Sequence, residues 1–132
     1  MSELLDRIKQ HEGLRLKPYL DTVNKTTIGY GRNLDANGIT AEEAEIMLRH
    51  DVMLAEDEAG RFSWYRKLDD RRKGVIVEMI FNLGLSGVLK FKNMIQAIQD
   101  DDYKKASNEM LDSLWATQTK GRAITLANIM HG

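Results

Sequence analysis

Apolar residues near the start of the chain recur at helical spacing. Leu4, Leu5 and Ile8 form one stripe, Ser2 can cap the segment, and Glu3 and Asp6 in its first turn complement the helix dipole. Gly13 is a natural stop. Leu14, Leu16 and Tyr19 then surround the single proline, Pro18, which suggests an edge strand or a strand end. A polar turn follows over 21–25, where Asn24 can take a positive φ. The spacing predicts a strand from Thr26 to Leu34 and a turn over 35–38. Thr40 with Glu43 fits a capping box, followed by a helix from about Ala41 to Ala59 with a stripe of Ala44, Met47, Leu48, Val52 and Ala55. At ~1.5 Å per residue such a helix is a rod of roughly 30 Å.

Beyond residue 60 the period stays helical. Asp69 or Asp70 can cap a helix over 71–83, with Val75, Ile76, Met79, Ile80 and Leu83 inward and Gly84 as stop. Shorter helices are expected over 86–90, 93–99, 103–111 and 120–130, with short connections that make them close neighbours.

Composition narrows the classes. The 132 residues are 42% apolar and 30% charged, which suits one globular domain with a real core. The absence of cysteine excludes a disulfide framework and thiolate chemistry. The three histidines are scattered without metal-ligand spacing, so neither metal nor cofactor is expected. Apolar runs are too short for membrane insertion, and MSELLDRIKQ does not read as a secretory signal. Net charge is −1 but uneven: residues 36–60 hold seven acids and one base, and residues 61–95 hold eight bases and three acids. These blocks read as solvated faces or as a bipolar surface for an anionic polymer. No basic run with interleaved aromatics favours nucleic acid.

The candidate chemistry lies in HEGLRLKPYLDTVNKTTIGYGR, residues 11–32. Glu12 continues the stripe of Ile8 and is expected to be partly desolvated at a helix C-terminus. Both conditions favour a protonated carboxyl, as a general acid requires; the bland alternative is an exposed Glu in a frayed turn. Asp21 supplies a second carboxylate and Thr27 a hydroxyl able to hold water, a set that suits glycosidic cleavage. On one strand Thr27, Gly29 and Gly31 would share a nearly bare face that a bulky ligand can approach, unless the glycines only mark a bulge or bend.

The whole string resembles the phage-type (T4-like) lysozymes. HEGLRLKPYLD is similar to the family's E-G-x-R-L-x-x-Y-x-D, and TTIGYGR to its T-I-G-x-G. GITAEEAEIMLRHDV resembles the start of the long inter-lobe helix, and FNLGLSGVLKF and WATQTKGRAI resemble later segments. Asn24 stands where the turn commonly has Gly, Arg32 where the T4 member has His, and Asn82 in place of a longer amide, which puts its sugar contact in question. The chain is shorter than the T4 member, mainly between sheet and long helix.

The resemblance implies a lysozyme-like α+β fold in a single domain. A three-stranded antiparallel sheet lobe covers about 14–39, an inter-lobe helix about 40–60, and a helical lobe 1–13 plus 61–132, with the cleft between the lobes. It implies a monomeric endolysin made in the host cytoplasm that reaches the wall by a separate export or release route. The reaction would split the β-1,4 bond between N-acetylmuramic acid and N-acetylglucosamine in bacterial peptidoglycan, with inversion. Glu12 would be the acid, Asp21 would orient or activate water, and Thr27 would hold that water. Gly31, Arg32, Asn82, Phe91, Trp115, Gln118 and Arg122 would bind substrate, with Arg122 also helping to position Glu12. Other readings are a catalytically weak peptidoglycan-binding module, a lytic transglycosylase, which Asp21 argues against, and an engineered lysozyme-derived scaffold.

Overall fold

The computed structural model describes residues 2–132, which divide into two compact units, one up to residue 46 and one over 47–132. In the first unit α1 (Ser2–Glu12) leads into β1 (Arg15–Leu20), β2 (Thr26–Gly29) and β3 (Arg32–Asn33), an antiparallel sheet in the order β1-β2-β3. Gly13 ends α1 at φ 72°, its N–H donating to Lys9 O at 2.9 Å. A short helix, α2 (Leu34–Asn37), is capped by the Asn33 side chain, which accepts from the Ala36 N–H. It occupies the segment expected to be a turn.

The expected strand over 26–34 is two strands and a reversal. Gly29 and Gly31 take φ of 70° and 79°, and Ile28 pairs with Arg32 across the turn. Positive φ at two nearby glycines ends an extended run, so the shared face predicted for Thr27, Gly29 and Gly31 does not form. The stripe of α1 is also not buried: Leu4, Leu5 and Ile8 are each at least 40% exposed. Glu12 is exposed with them, which corrects the expected desolvation. Residues 2–46 contain no core of their own, and Thr27 is their one buried side chain.

Helix α3 (Ala41–Ala59) begins in the first unit and continues into the second. Thr40 and Glu43 form the predicted capping box, Glu43 N–H to Thr40 Oγ1 at 3.1 Å and Thr40 N–H to Glu43 Oε1 at 2.9 Å. Ala44, Met47 and Leu48 of its expected stripe are exposed, and burial starts at Val52 and reaches Ala55 and Ala59. The second unit continues with α4 (Ser63–Arg66), α5 (Asp70–Leu89), α6 (Lys92–Gln99), α7 (Tyr103–Leu111), α8 (Leu114–Thr119) and α9 (Gly121–His131). Of these, α4 and α8 lack a sequence signal, because a helix of four or six residues spans too little of a period to show one.

The core of this unit is built from Val75, Ile76, Met79 and Ile80 of α5, Met94 and Ile98 of α6, Met110 of α7, and Leu126 and Met130 of α9. Gly84 interrupts α5 at φ 77°, ψ 161°, so the predicted stop is a sharp break with helix on both sides. Asp69 is the N-cap. Helices α7 and α9 are tied by the buried Ser107 hydroxyl, which donates to Ala127 O at 2.8 Å. No single described helix is long and apolar enough to cross a membrane.

Candidate active site

In the first unit the site is built from one turn. Asp21 Oδ1 accepts the backbone N–H of Val23 at 2.9 Å and of Lys25 at 2.8 Å, while Asp21 N–H donates to Lys25 O at 3.0 Å. Asn24 closes the turn at φ 62°, as its residue type allows. Thr27, 3% exposed, donates its hydroxyl to the same Lys25 carbonyl at 2.8 Å. The Lys25 peptide groups therefore hold both side chains. Thr27 has spent its only proton, so towards any further partner its oxygen can only accept. No intramolecular hydrogen bond engages Asp21 Oδ2 among the described residues, and an ionised carboxylate oxygen accepts as well. Two fixed acceptors suit a water that donates both protons and turns a lone pair outward.

Glu12 stands at the end of α1 with its carboxylate against the Cα of Gly31. Arg32, predicted to bind substrate, is engaged within its own unit. Its Nη1 donates to Glu43 Oε1, and this hydrogen bond, with the Thr40 N–H also on Glu43, holds the Glu43 carboxyl down at about 2. The pair ties β3 to the first turn of α3.

In the second unit three predicted binding residues line one open groove of about 430 Å³: Phe91, Trp115 and Gln118. Trp115 is buried to 4% exposure, with the Phe91 ring edge-on at 5.9 Å between centroids. Its indole Nε1–H donates to Asn82 Oδ1 at 2.8 Å. Asn82 thus orients the aromatic wall and does not line the groove. Lys90, Lys92, Glu109 and Asp112 add charge around it.

Arg122, in the first turn of α9, donates from Nε to Glu78 Oε2 at 2.9 Å. The resemblance implied Glu12 as the carboxylate that Arg122 positions; within its own unit the guanidinium is paired with Glu78. Glu78 and Glu43 were invisible as partners in the sequence, since 44 and 11 residues separate them from their arginines and no local period links them. The role of Lys25 lies in its backbone, which no residue-type pattern marks.

The chain that forms this helix, sheet and turn has relatives among known proteins. The phage lysozyme family matches residues 9–128. The chain belongs to that family. It is a glycoside hydrolase with a phage-type lysozyme function. It is 29% identical to a probable T4-type lysozyme 2 of Dictyostelium discoideum over 161 aligned positions, covering 99% of this chain and 95% of that protein. That alignment is longer than the chain, so this member lacks segments its relative has. It is 28% identical to the endolysin of Salmonella phage P22, covering 92% and 86% of the two chains. The pre-baseplate central spike protein Gp5 of Enterobacteria phage T4 is 30% identical over 96% of this chain and 27% of its own length.

Proposed function

We propose that this lysozyme hydrolyses the β-1,4 bond between N-acetylmuramic acid and N-acetylglucosamine of bacterial peptidoglycan, inverting the anomeric carbon, in phage-induced lysis of the host. The turn at Asp21 carries the proposal: Asp21 and Thr27 are anchored on the two peptide groups that flank the Lys25 Cα and offer two acceptors to a single water. Glu12 protonates the leaving oxygen, while Asp21 steadies the oxocarbenium-like charge and draws a proton from the water. Asn82 enters through Trp115, and Trp115, Phe91 and Gln118 bind the glycan. Arg32 and Arg122 complete the binding set. The enzyme acts as a monomer, is made in the host cytoplasm and reaches the wall by a separate route.

Inversion requires water to attack the face opposite the leaving group. The first product from the β-linked glycan is therefore expected to be the α anomer, read by fast chromatography before mutarotation. A β product contradicts inversion, and an anhydro sugar contradicts hydrolysis.

A further inference from the structure

Gly29 and Gly31 flank one turn and share a positive φ, yet their surroundings differ. A Cβ on Gly29 would meet nothing within 4 Å, whereas a Cβ on Gly31 would overlap Glu12 Oε2 and lie 3.0 Å from Glu12 Cδ. The room that glycine leaves at 31 is filled by the carboxylate of Glu12. The same end of α1 makes a second contact with this turn, the Lys9 ammonium lying 5.6 Å from the centroid of the Tyr30 ring. Lys9 and Glu12 are three apart on α1, and Tyr30 and Gly31 are adjacent, so the last turn of the helix grips the sheet reversal at two points.

We infer that Gly31 is a positioning residue for Glu12: its missing side chain is the seat in which the catalytic carboxylate rests. This rests on the reading of Glu12 as the acid. Any side chain at 31 pushes the carboxylate out of its place without touching the glycan, and misplacement by about 1 Å can cost on the order of 10²-fold in rate. Backbone strain is the competing effect, because an L-residue at φ 79° is disfavoured whatever the space. Two controls separate them. Gly38, at φ 55° with nothing within 4 Å of its Cβ position, carries strain without a clash. Asparagine adopts φ 62° at Asn24 of this chain, so Gly31→Asn adds the Cβ with less strain.

The experiment compares Gly31→Ala, Gly31→Asn, Gly38→Ala and Glu12→Gln for kcat and KM on a soluble peptidoglycan fragment. It also compares the thermal midpoint of Gly31→Ala in the parent and in Glu12→Ala. Both Gly31 variants are expected to lose roughly 10–100-fold in kcat with KM within about threefold, while Gly38→Ala loses stability and keeps kcat. Gly31→Ala is expected to lower the midpoint more in the parent than in Glu12→Ala, where no carboxylate stands in the way. Equal midpoint losses in the two backgrounds, or Gly31 variants with kcat within about threefold of the parent beside an inactive Glu12→Gln, overturn the proposal. An active Glu12→Gln instead overturns the acid assignment, and the midpoint comparison still tests the seat.

Discussion

Asn82 accepts the indole proton of Trp115, and that single bond fixes the wall of the groove in the second unit. Replacing Asn82 by Leu removes the acceptor and leaves a buried donor unpaired. The expected loss is about 1–3 kcal/mol in urea unfolding, together with weaker glycan binding. Asn82→Gln can restore the bond and is expected to recover part of both. An Asn82→Leu protein as stable as the parent would show that Trp115 does not depend on this acceptor. Single residues were legible where their role is local. Asn24 takes the positive φ that its residue type allows, and the Thr40–Glu43 capping box forms at its predicted spacing. The Asn82–Trp115 and Arg122–Glu78 pairs were not legible as pairs, because they join different helices and leave no trace in spacing.

Capping decides several element ends. Thr40 and Glu43 start α3 as their spacing predicted, but Glu43 carries a second duty on Arg32. Its carboxyl falls from an ordinary 4.5 to about 2, chiefly through the Arg32 hydrogen bond. A depressed folded-state value means that this contribution is fully present above pH ~4.5 and is lost as pH falls towards ~2. The thermal midpoint of Glu43→Gln is therefore expected to approach that of the parent across this window; a gap that stays constant from pH 6 to 2 contradicts the assignment. At the other end of the chain Arg72 staples α9. Its Nε donates to Met130 O at 2.7 Å and Nη2 to His131 O at 3.1 Å, with the guanidinium over the Tyr103 ring. Arg72→Ala removes hydrogen bonds from a charged donor to helix-end carbonyls, and is expected to cost roughly 1.5–3 kcal/mol in chemical denaturation. A loss under about 0.5 kcal/mol, the range of a plain surface change, would exclude the staple.

Across the whole molecule the two units differ in kind. Residues 47–132 hold the apolar core, including the fully buried Ile76, Met79, Met94, Ile98, Met110 and Met130. Residues 2–46 bury Thr27 alone and depend on turns, caps and the Arg32–Glu43 pair. Hydrogen exchange is expected to be slowest in α5, α6, α7 and α9 and faster by orders of magnitude in α1 and the sheet. Equal protection in both units would contradict that division. Periodicity read the core helices well, with α7 placed over its observed residues. It overstated the stripes of α1 and early α3, since a stripe records what a helix can bury and not whether a partner covers it.

In the proposed reaction a proton held by Glu12 drives cleavage of the wall glycan. Clearing of exposed bacterial walls by the parent beside Glu12→Gln tests it most directly, with circular dichroism to verify that the variant is folded. Glu12→Gln is expected to stay folded and to lose ~10²–10⁴ in lytic rate, the usual worth of general acid catalysis. Lysis within about threefold of the parent would contradict it.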